Sequence, residues 1–505
     1  MKEAARSRYD VVVIGGGIGG LSCGALLARA GRSVLVVEAD ERPGGFAQNL
    51  TEGGYDFDLA IHVIMSLEPE GPFGQGMVHA VLQHLGVADE LEYAALDPFY
   101  AVQLEDERVV LPGGRDAHVS TLARLGADDA RSVAALFDAY EKAYREILAL
   151  PVSLGLCDLL RMPIKTPLVF AKRNATLAQL RNEHLRDPKV RHVHTALWPY
   201  IGLPASRMAF LPFGAMMASY VAEGAFYCRR GFQTLADALA RGLTRHGGEL
   251  LLGAKVSKIA VSERHVTGVE LESGQRIDAQ CVISAGDVRR TFDELIDPEE
   301  TPRRYLRKLE RQTPSLSACL LYLGTDVDLR SLLDAQITIV APYASDESYA
   351  RSVRGSIGSV SITVPTFTDP QRAPDGEHTV VIAAAVPIEC GERPGWDDEK
   401  VSSEMLAMAE RAVPGLSSHI TFASGRDDAG RIRPRYLGPI YGWAVEPKQS
   451  SAYRLPHETP FEGLWLCGHW TQPAGGIWSV VASGIQTARL VLDRNVRGGL
   501  MPLSL

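Results

Sequence analysis

YDVVVIGGGIGGLSCGALLARAGRSVLVVEA, from Tyr9 to Ala39, opens with the apolar, largely β-branched run Val11 to Ile14 and passes at once into Gly15, Gly17 and Gly20. Such a run reads as a buried parallel strand. LSCGALLARAG then reads as a helix ending at Gly31, and SVLVVEA as a second strand closing at Glu38. Strand, G-x-G-x-x-G turn, helix and strand in this order make a whole β-α-β unit, the context that gives the glycine pattern its meaning. Gly15 permits the tight turn, Gly17 lets a pyrophosphate approach the backbone, and Gly20 lets helix and strand pack closely. The helix N-terminus then faces the phosphates. Glu38, about 20 residues on, accepts hydrogen bonds from a ribose and disfavours a 2′-phosphate. The unit implies a bound dinucleotide, against the plainer reading of a glycine-rich structural turn.

With 505 residues, 46% of them hydrophobic, the chain can bury two domain cores. A net charge of -9 and the lack of a long basic block argue against nucleic acid as a partner. Seven cysteines without paired spacing read as reduced thiols, hence a cytoplasmic setting, and MKEAARSRYD lacks a signal-peptide core. From Gly463 to Ala488 no charged residue occurs, a length that could span a bilayer. His469, Gln472, Pro473, Gly475 and Gly476 interrupt it, so buried backbone near a ligand is the better reading.

Downstream of Glu38 and Ala39, the stretch ERPGGFAQNLTEGGYDFDLAIHVI places Arg42, Gly44, Gly45, Phe46 and Ala47 ahead of Gly54-Tyr55-Asp56-Phe57-Asp58. This resembles the second diphosphate-contacting segment of the flavin amine oxidase and phytoene desaturase superfamily, which implies FAD rather than NAD. No second β-α-β fingerprint is found, so NADPH is expected only as an external electron donor. The segment from Gly224 to Asp287 matches the same superfamily. A helix from Leu235 to Arg245 leads to Gly247-Gly248-Glu249, then to Val256, which the resemblance places at the adenine; VISAGD, with Ala285, lies beside the cofactor. GLWLCGHWTQPAGGIWSVVASGIQTARLVL resembles the C-terminal flavin motif, in which a helix N-terminus points at the isoalloxazine ring. Gly468 and Ile477 carry over; His469 replaces the usual acid, and Ala474-Gly475-Gly476 replaces the usual Pro-Gly-X-Gly turn. Ile18 and Gly19, inside the first glycine turn, complete the expected cofactor set.

The expected fold is α/β with two domains. A Rossmann-type FAD domain comprises 1–99, 224–299 and 431–505. A substrate domain of mixed sheet and helices comprises 100–223 and 300–430. Alternation at Ser317–Gly324, Ser356–Val364 and Thr379–Pro387 predicts its strands. The segment LWPYIGLPASRMAFLPFGAMMASYVAEGAFYCRRGFQTL resembles the tunnel-lining region of carotene isomerases, retinol saturases and bacterial phytoene dehydrogenases, with Arg230 where the first glycine of a pair usually stands. AIHVI and GHWTQPAGG look more like the actinobacterial phytoene-dehydrogenase-like enzymes that reductively cyclise polyene tetramate macrolactams.

The resemblance implies hydride exchange between flavin and a lipophilic conjugated polyene. His62, Tyr227, Arg230, His469 and Trp470 are the candidate catalytic residues. His62 reads as a proton donor or acceptor, or as a histidine bonded to backbone. His469 and Trp470 approach the ring or the tunnel wall, or pack. Tyr227, like Tyr200 and Tyr441, donates to a carbonyl or is an ordinary buried tyrosine. Arg230 binds an anionic group or a surface carboxylate. His192 and His194 diverge on a helix, so no metal is expected. RMPIKTPLVFAKRN mixes basic and apolar residues, which suits peripheral contact with an anionic membrane or a solvated helix end. The expected activity is reduction or reductive cyclisation of a polyene. Its rivals are carotenoid or retinoid desaturation, saturation or cis–trans isomerisation, and a non-catalytic flavin-binding escort.

Overall fold

The computed structural model describes residues 3–152, 155–388, 397–493, 499 and 503. Strands Arg8–Ile14 and Val34–Glu38 pair in parallel, joined by helix Ile18–Arg29, as the opening stretch predicts. Val11, Val12 and Val13 are all buried because apolar clusters cover both faces of the sheet, so the run shows no polar alternation. Arg276–Ser284 adds in parallel on one side of Arg8–Ile14, and Glu249–Leu252 extends the sheet beyond Val34–Glu38. Leu464–Leu466 pairs in parallel with the end of Arg276–Ser284. The antiparallel hairpin Val256–Ser262 and His265–Leu271 completes seven strands among the described residues. Three distant parts of the chain therefore meet at the C-terminal ends of the parallel strands. Helix Ile477–Leu492 packs there against Ile18–Arg29.

Among the described residues the second sheet has eight strands. Their order is Ile420–Ala423, Ser317–Thr325, His378–Val386, Val360–Thr363, Ile337–Val340, Tyr100–Gln103 and Arg108–Leu111, with Arg435–Pro439 also on Ser317–Thr325. Ile337–Val340 runs parallel to Tyr100–Gln103 and the other described pairings are antiparallel, a mixed sheet as expected. Alternation divides its faces. Cys319, Leu321, Val380 and Ile382 pack with Val401 and Met405 of helix Asp398–Ala409. On the other face, Leu320, Tyr322 and Val381 meet Tyr55, Phe57 and Leu59, from the hairpin Asn49–Asp58 and the residue after it. The uncharged run from Gly463 is strand Leu464–Leu466 and the start of helix Ile477–Leu492. No helix among the described residues is long and apolar enough to cross a membrane.

The hairpin is locked to the second sheet by buried charge. Asp58 and Arg372 are 1% and 2% exposed, with Oδ2 and Nη1 2.7 Å apart. Arg372 Nε lies 3.3 Å from Asp56 Oδ2. Tyr227 donates its hydroxyl proton to Asp58 Oδ2 at 2.5 Å, Phe232 N–H donates to Oδ1 at 3.1 Å, and Tyr322 donates to the Leu59 carbonyl at 2.5 Å. Burial lifts the Asp58 carboxyl above its ordinary value, while Arg372 and the Phe232 N–H oppose the lift. Removing one partner leaves the other charged and dry, so Arg372→Met is expected to lower unfolding free energy by about 3–5 kcal/mol, read from denaturant midpoints.

Candidate active site

A cavity of about 710 Å³ runs from the Gly15 turn to the second sheet. Helices Ile18–Arg29 and Ile477–Leu492 both begin at its wall, after Gly17 and Gly476. Neither N-terminus has a side-chain cap or an acidic residue in its first turn. Each presents partial positive charge suited to an anion.

The glycines of the turn serve different ends. Gly15 has φ +104°, a conformation costly for other residues. A Cβ on Gly20 would sit 2.1 Å from the Gly15 carbonyl oxygen, so only glycine lets this helix lie so near the strand. Gly17 is different: its φ of −68° suits any residue, and a Cβ there would meet no protein atom within 4 Å. Its side-chain space faces the cavity beside a helix N-terminus, a cradle fit for phosphate. Glu38 is anchored at the same end, Oε2 accepting from Gly16 N–H at 2.6 Å and Oε1 from Asp40 N–H at 2.9 Å.

Gly15, Gly17, Ile18, Gly19, Gly20, Glu38, Gly44, Gly45, Phe46, Ala47, Ala285, Gly468 and Ile477 all line this cavity. Three expected cofactor residues do not. Ala39 and Arg42 are exposed to solvent. Val256 is buried among Leu35, Val37 and Leu271.

Of the candidate catalytic residues, His62 and His469 reach the cavity; Tyr227, Arg230 and Trp470 do not. Tyr227 belongs to the Asp58–Arg372 cluster. Arg230 is exposed; its N–H donates to Asp369 at 2.7 Å and its carbonyl accepts from Asn49 at 2.8 Å. Trp470 packs edge-on against Trp443 at 4.8 Å, with the Arg289 guanidinium 4.7 Å from its ring.

His62 is 8% exposed, and its Nδ1 is buried without a hydrogen-bond partner among the described residues. The Tyr200 hydroxyl is likewise buried and unpartnered, and the two rings meet edge to face at 6.0 Å. Burial lowers the His62 pKa to about 4, opposed by the charge of Asp58, and burial raises that of Tyr200. Near neutral pH the pair is an uncharged base beside an uncharged acid. His469 stacks on Phe46 at 5.9 Å; burial, then the charge of Arg454, lowers its pKa to about 4. The remaining surroundings are mainly apolar. Ala318, Leu320, Ser361, Ala383 and Ala385 lie on adjoining strands and form a shallow floor. The run of three alanines in VVIAAAVP, Ala383 to Ala385, carries the sequence signal for that floor.

Residues 18–492 match the family model described as flavin containing amine oxidoreductase. The chain belongs to that family. It is an FAD-dependent oxidoreductase, and the likeness to the phytoene desaturase and carotene isomerase superfamily extends along its length. It is 28% identical to the neurosporene-forming phytoene desaturase of Rhodobacter capsulatus over 98% of this chain and 96% of that protein. It is 24% identical to the chloroplastic prolycopene isomerase 2 of an Oncidium hybrid cultivar, over 97% and 85% respectively. Among solved structures, an oxidoreductase from Methanosarcina mazei superposes with a TM-score of 0.64 at 18% identity, covering 96% of this chain and all of that one.

Gly17→Val is expected to fold, with unchanged far-UV circular dichroism, yet to purify with at least about tenfold less flavin per protein. A fully yellow variant would count against the cradle. Stability should also fall in acid. His62, His118 and His194 are buried with pKa values lowered to about 4, 4 and 3. The unfolded chain takes up protons at such residues below about 6.5, which the folded chain resists. Unfolding free energy should therefore drop as pH falls from 6.5 towards 4, by up to roughly 1.4 kcal/mol per pH unit for each histidine. Denaturant titrations at a series of pH values measure the slope.

Proposed function

We propose that this oxidoreductase acts on a long, apolar, conjugated polyene, with desaturation of a carotenoid-type chain as the leading reaction. One observation carries the reading: a single cavity joins the cofactor cradle to a shallow apolar floor beside the His62–Tyr200 pair. The names of the relatives, a phytoene desaturase and a prolycopene isomerase, support a linear polyene. We assign FAD binding to 1–99, 224–299 and 431–505, and substrate binding to 100–223 and 300–430, with strand Arg435–Pro439 lying in the substrate sheet. The hairpin Asn49–Asp58 bridges the two, packed on the second sheet.

Bound FAD supplies hydride exchange with a substrate carbon. The chain does the rest. Ala318, Ala383 and Ala385 leave room for a flat molecule, and Leu59, Ile61 and Val63 exclude water from one side. Desaturation removes a hydride and a proton from the substrate, and neutral His62 accepts the proton. A second reading, reduction or reductive cyclisation of an oxygen-bearing polyene such as a tetramate, is favoured by the unpartnered Tyr200 hydroxyl. A pure hydrocarbon offers that group no acceptor, whereas a substrate oxygen does. NADPH would then supply the electrons.

The holoenzyme is incubated anaerobically with a carotenoid polyene, once with a quinone acceptor and once with NADPH. A red-shifted product chromophore marks desaturation, a blue-shifted one reduction, and a new retention time with little shift marks isomerisation. An unaltered polyene in both mixtures would sink this reading. His62→Gln should keep its flavin and slow turnover about 10²-fold or more.

We also infer peripheral contact with an anionic membrane. On helix Leu156–Lys165, Leu159, Leu160 and Ile164 are 46%, 71% and 83% exposed, beside exposed Arg161 and Lys165. The following helix Pro167–Lys172 is tied through Val169 N–H to Glu146 Oε2 at 2.8 Å, on the helix whose Tyr144 and Ile147 line the cavity. A lipophilic substrate would thus leave the bilayer near its site. The double variant Leu160→Ser, Ile164→Ser should lose most co-sedimentation with vesicles containing phosphatidylglycerol while retaining its flavin; sedimentation equal to wild type would refute the contact.

A further inference from the structure

Arg454 is a fully buried guanidinium, 1% exposed, that meets no carboxylate among the described residues. Its Nε donates to the Thr471 carbonyl at 3.0 Å and its Nη1 to Trp443 at 3.1 Å. Its Nη2 donates to Tyr441 at 2.5 Å and also to the His469 carbonyl. These carbonyls belong to two short segments, Tyr441–Trp443 and His469–Thr471. Tyr441 and His469 both line the cavity. The arginine therefore stands one residue layer behind the wall.

Four carbonyl dipoles engage four of its five N–H donors without supplying a counter-charge. A burial this costly is ordinarily balanced by an acid. The acid whose charge reaches His469 is Asp287, and it is held by Arg289 at 2.6 Å. Burial brings the Arg454 pKa down to about 9, which leaves the group protonated at neutral pH. In surroundings this dry its field is weakly screened. The field already reaches the cavity wall, because Arg454 helps depress the neighbouring His469. The N-terminus of helix Ile477–Leu492 adds partial positive charge at the same wall.

We propose that Arg454 supplies positive potential to the cavity wall at Tyr441 and His469, and thereby stabilises the negative charge that FAD carries after taking up two electrons and one proton. This rests on the cofactor and not on the polyene reading, and its test uses no substrate.

The probe is sulfite. It adds to oxidised flavin through one new N–S bond, displaces nothing, and leaves additional negative charge on the ring. Its dissociation constant is read from bleaching of the flavin band, and the midpoint potential is read in parallel by reductive titration against a reference dye. Arg454→Met should bind sulfite at least about tenfold more weakly and shift the potential downward. Arg454→Lys keeps the charge but cannot span four carbonyls. It should lose thermal stability yet hold sulfite within about threefold of wild type. A purely architectural arginine predicts the reverse pattern: the lysine variant would lose sulfite affinity as fully as the methionine variant, or neither would change. Either result overturns the proposal. Should Arg454→Met fail to fold or to keep its flavin, the lysine variant decides alone: sulfite affinity near wild type supports the charge, and a tenfold loss refutes it.

Discussion

One buried ion pair, Asp58 with Arg372, holds the working part of this molecule together. The two residues are 314 positions apart in the chain, and each lies on a different side of the cavity's construction. Asp58 ends the hairpin Asn49–Asp58; Arg372 belongs to a short turn leading to the second sheet. The segment Leu59–Met65, which lines the cavity, leaves directly from that clamp. It is caught again at its far end, where Ile64 and Phe226 exchange backbone hydrogen bonds of 2.9 and 2.8 Å. His62 sits midway along a strap fixed at both ends. Its position is thus decided by charges that never meet the substrate.

Electrostatics inside the cavity follow one pattern. Positive potential comes from groups that cannot readily lose it: two helix termini, Arg435 on the wall and, on the proposal above, Arg454 behind it. Of the titratable groups that face inward, His62, His469, Tyr200 and Tyr441 are kept uncharged by burial, while Glu38, Asp40 and Arg435 also line the cavity. An apolar molecule can enter such a space without displacing counter-ions, while charge that develops on the cofactor meets a prepared field. On the roles proposed for Arg454 and His62, the work of stabilising the reduced cofactor and that of moving protons fall to different residues.

What the sequence reveals is mostly local. The β-α-β unit, the VISAGD strand end and the GHWTQPAGG turn were legible because each is a short stretch whose backbone demands are written in its own residues. The second sheet was legible through alternation, as at Ser317–Thr325 and His378–Val386. Side-chain direction was not. His469 and Trp470 are neighbours, yet one faces the cavity and the other packs against Trp443. Tyr227 lies in a stretch resembling a tunnel wall, but strand Phe226–Cys228 pairs with Tyr93–Ala95 and sends its hydroxyl to Asp58. Nothing in SSAYRLP marks Arg454, and nothing near Arg372 marks its partner. Such contacts are made by the fold, over 314 residues for Arg372 with Asp58 and over 11 to 17 for Arg454 with its carbonyls, where no periodicity carries a signal.

The alanine floor has a consequence for how selectivity can change. Ala318 and Ala385 face each other across adjacent strands, with Ala383 two residues further along. A hydrocarbon lying there would meet one polar side chain, Ser361, which offers it no hydrogen bond, so its ends would locate it. Choosing which bond reacts is then a matter of measuring length, as a ruler with stops at its ends would do. A single added methyl group on this floor would slide or tilt the chain without altering any group that carries charge. Regiochemistry and redox power can therefore drift independently, and a family built on such a floor can change products while its electron-transfer machinery stays the same.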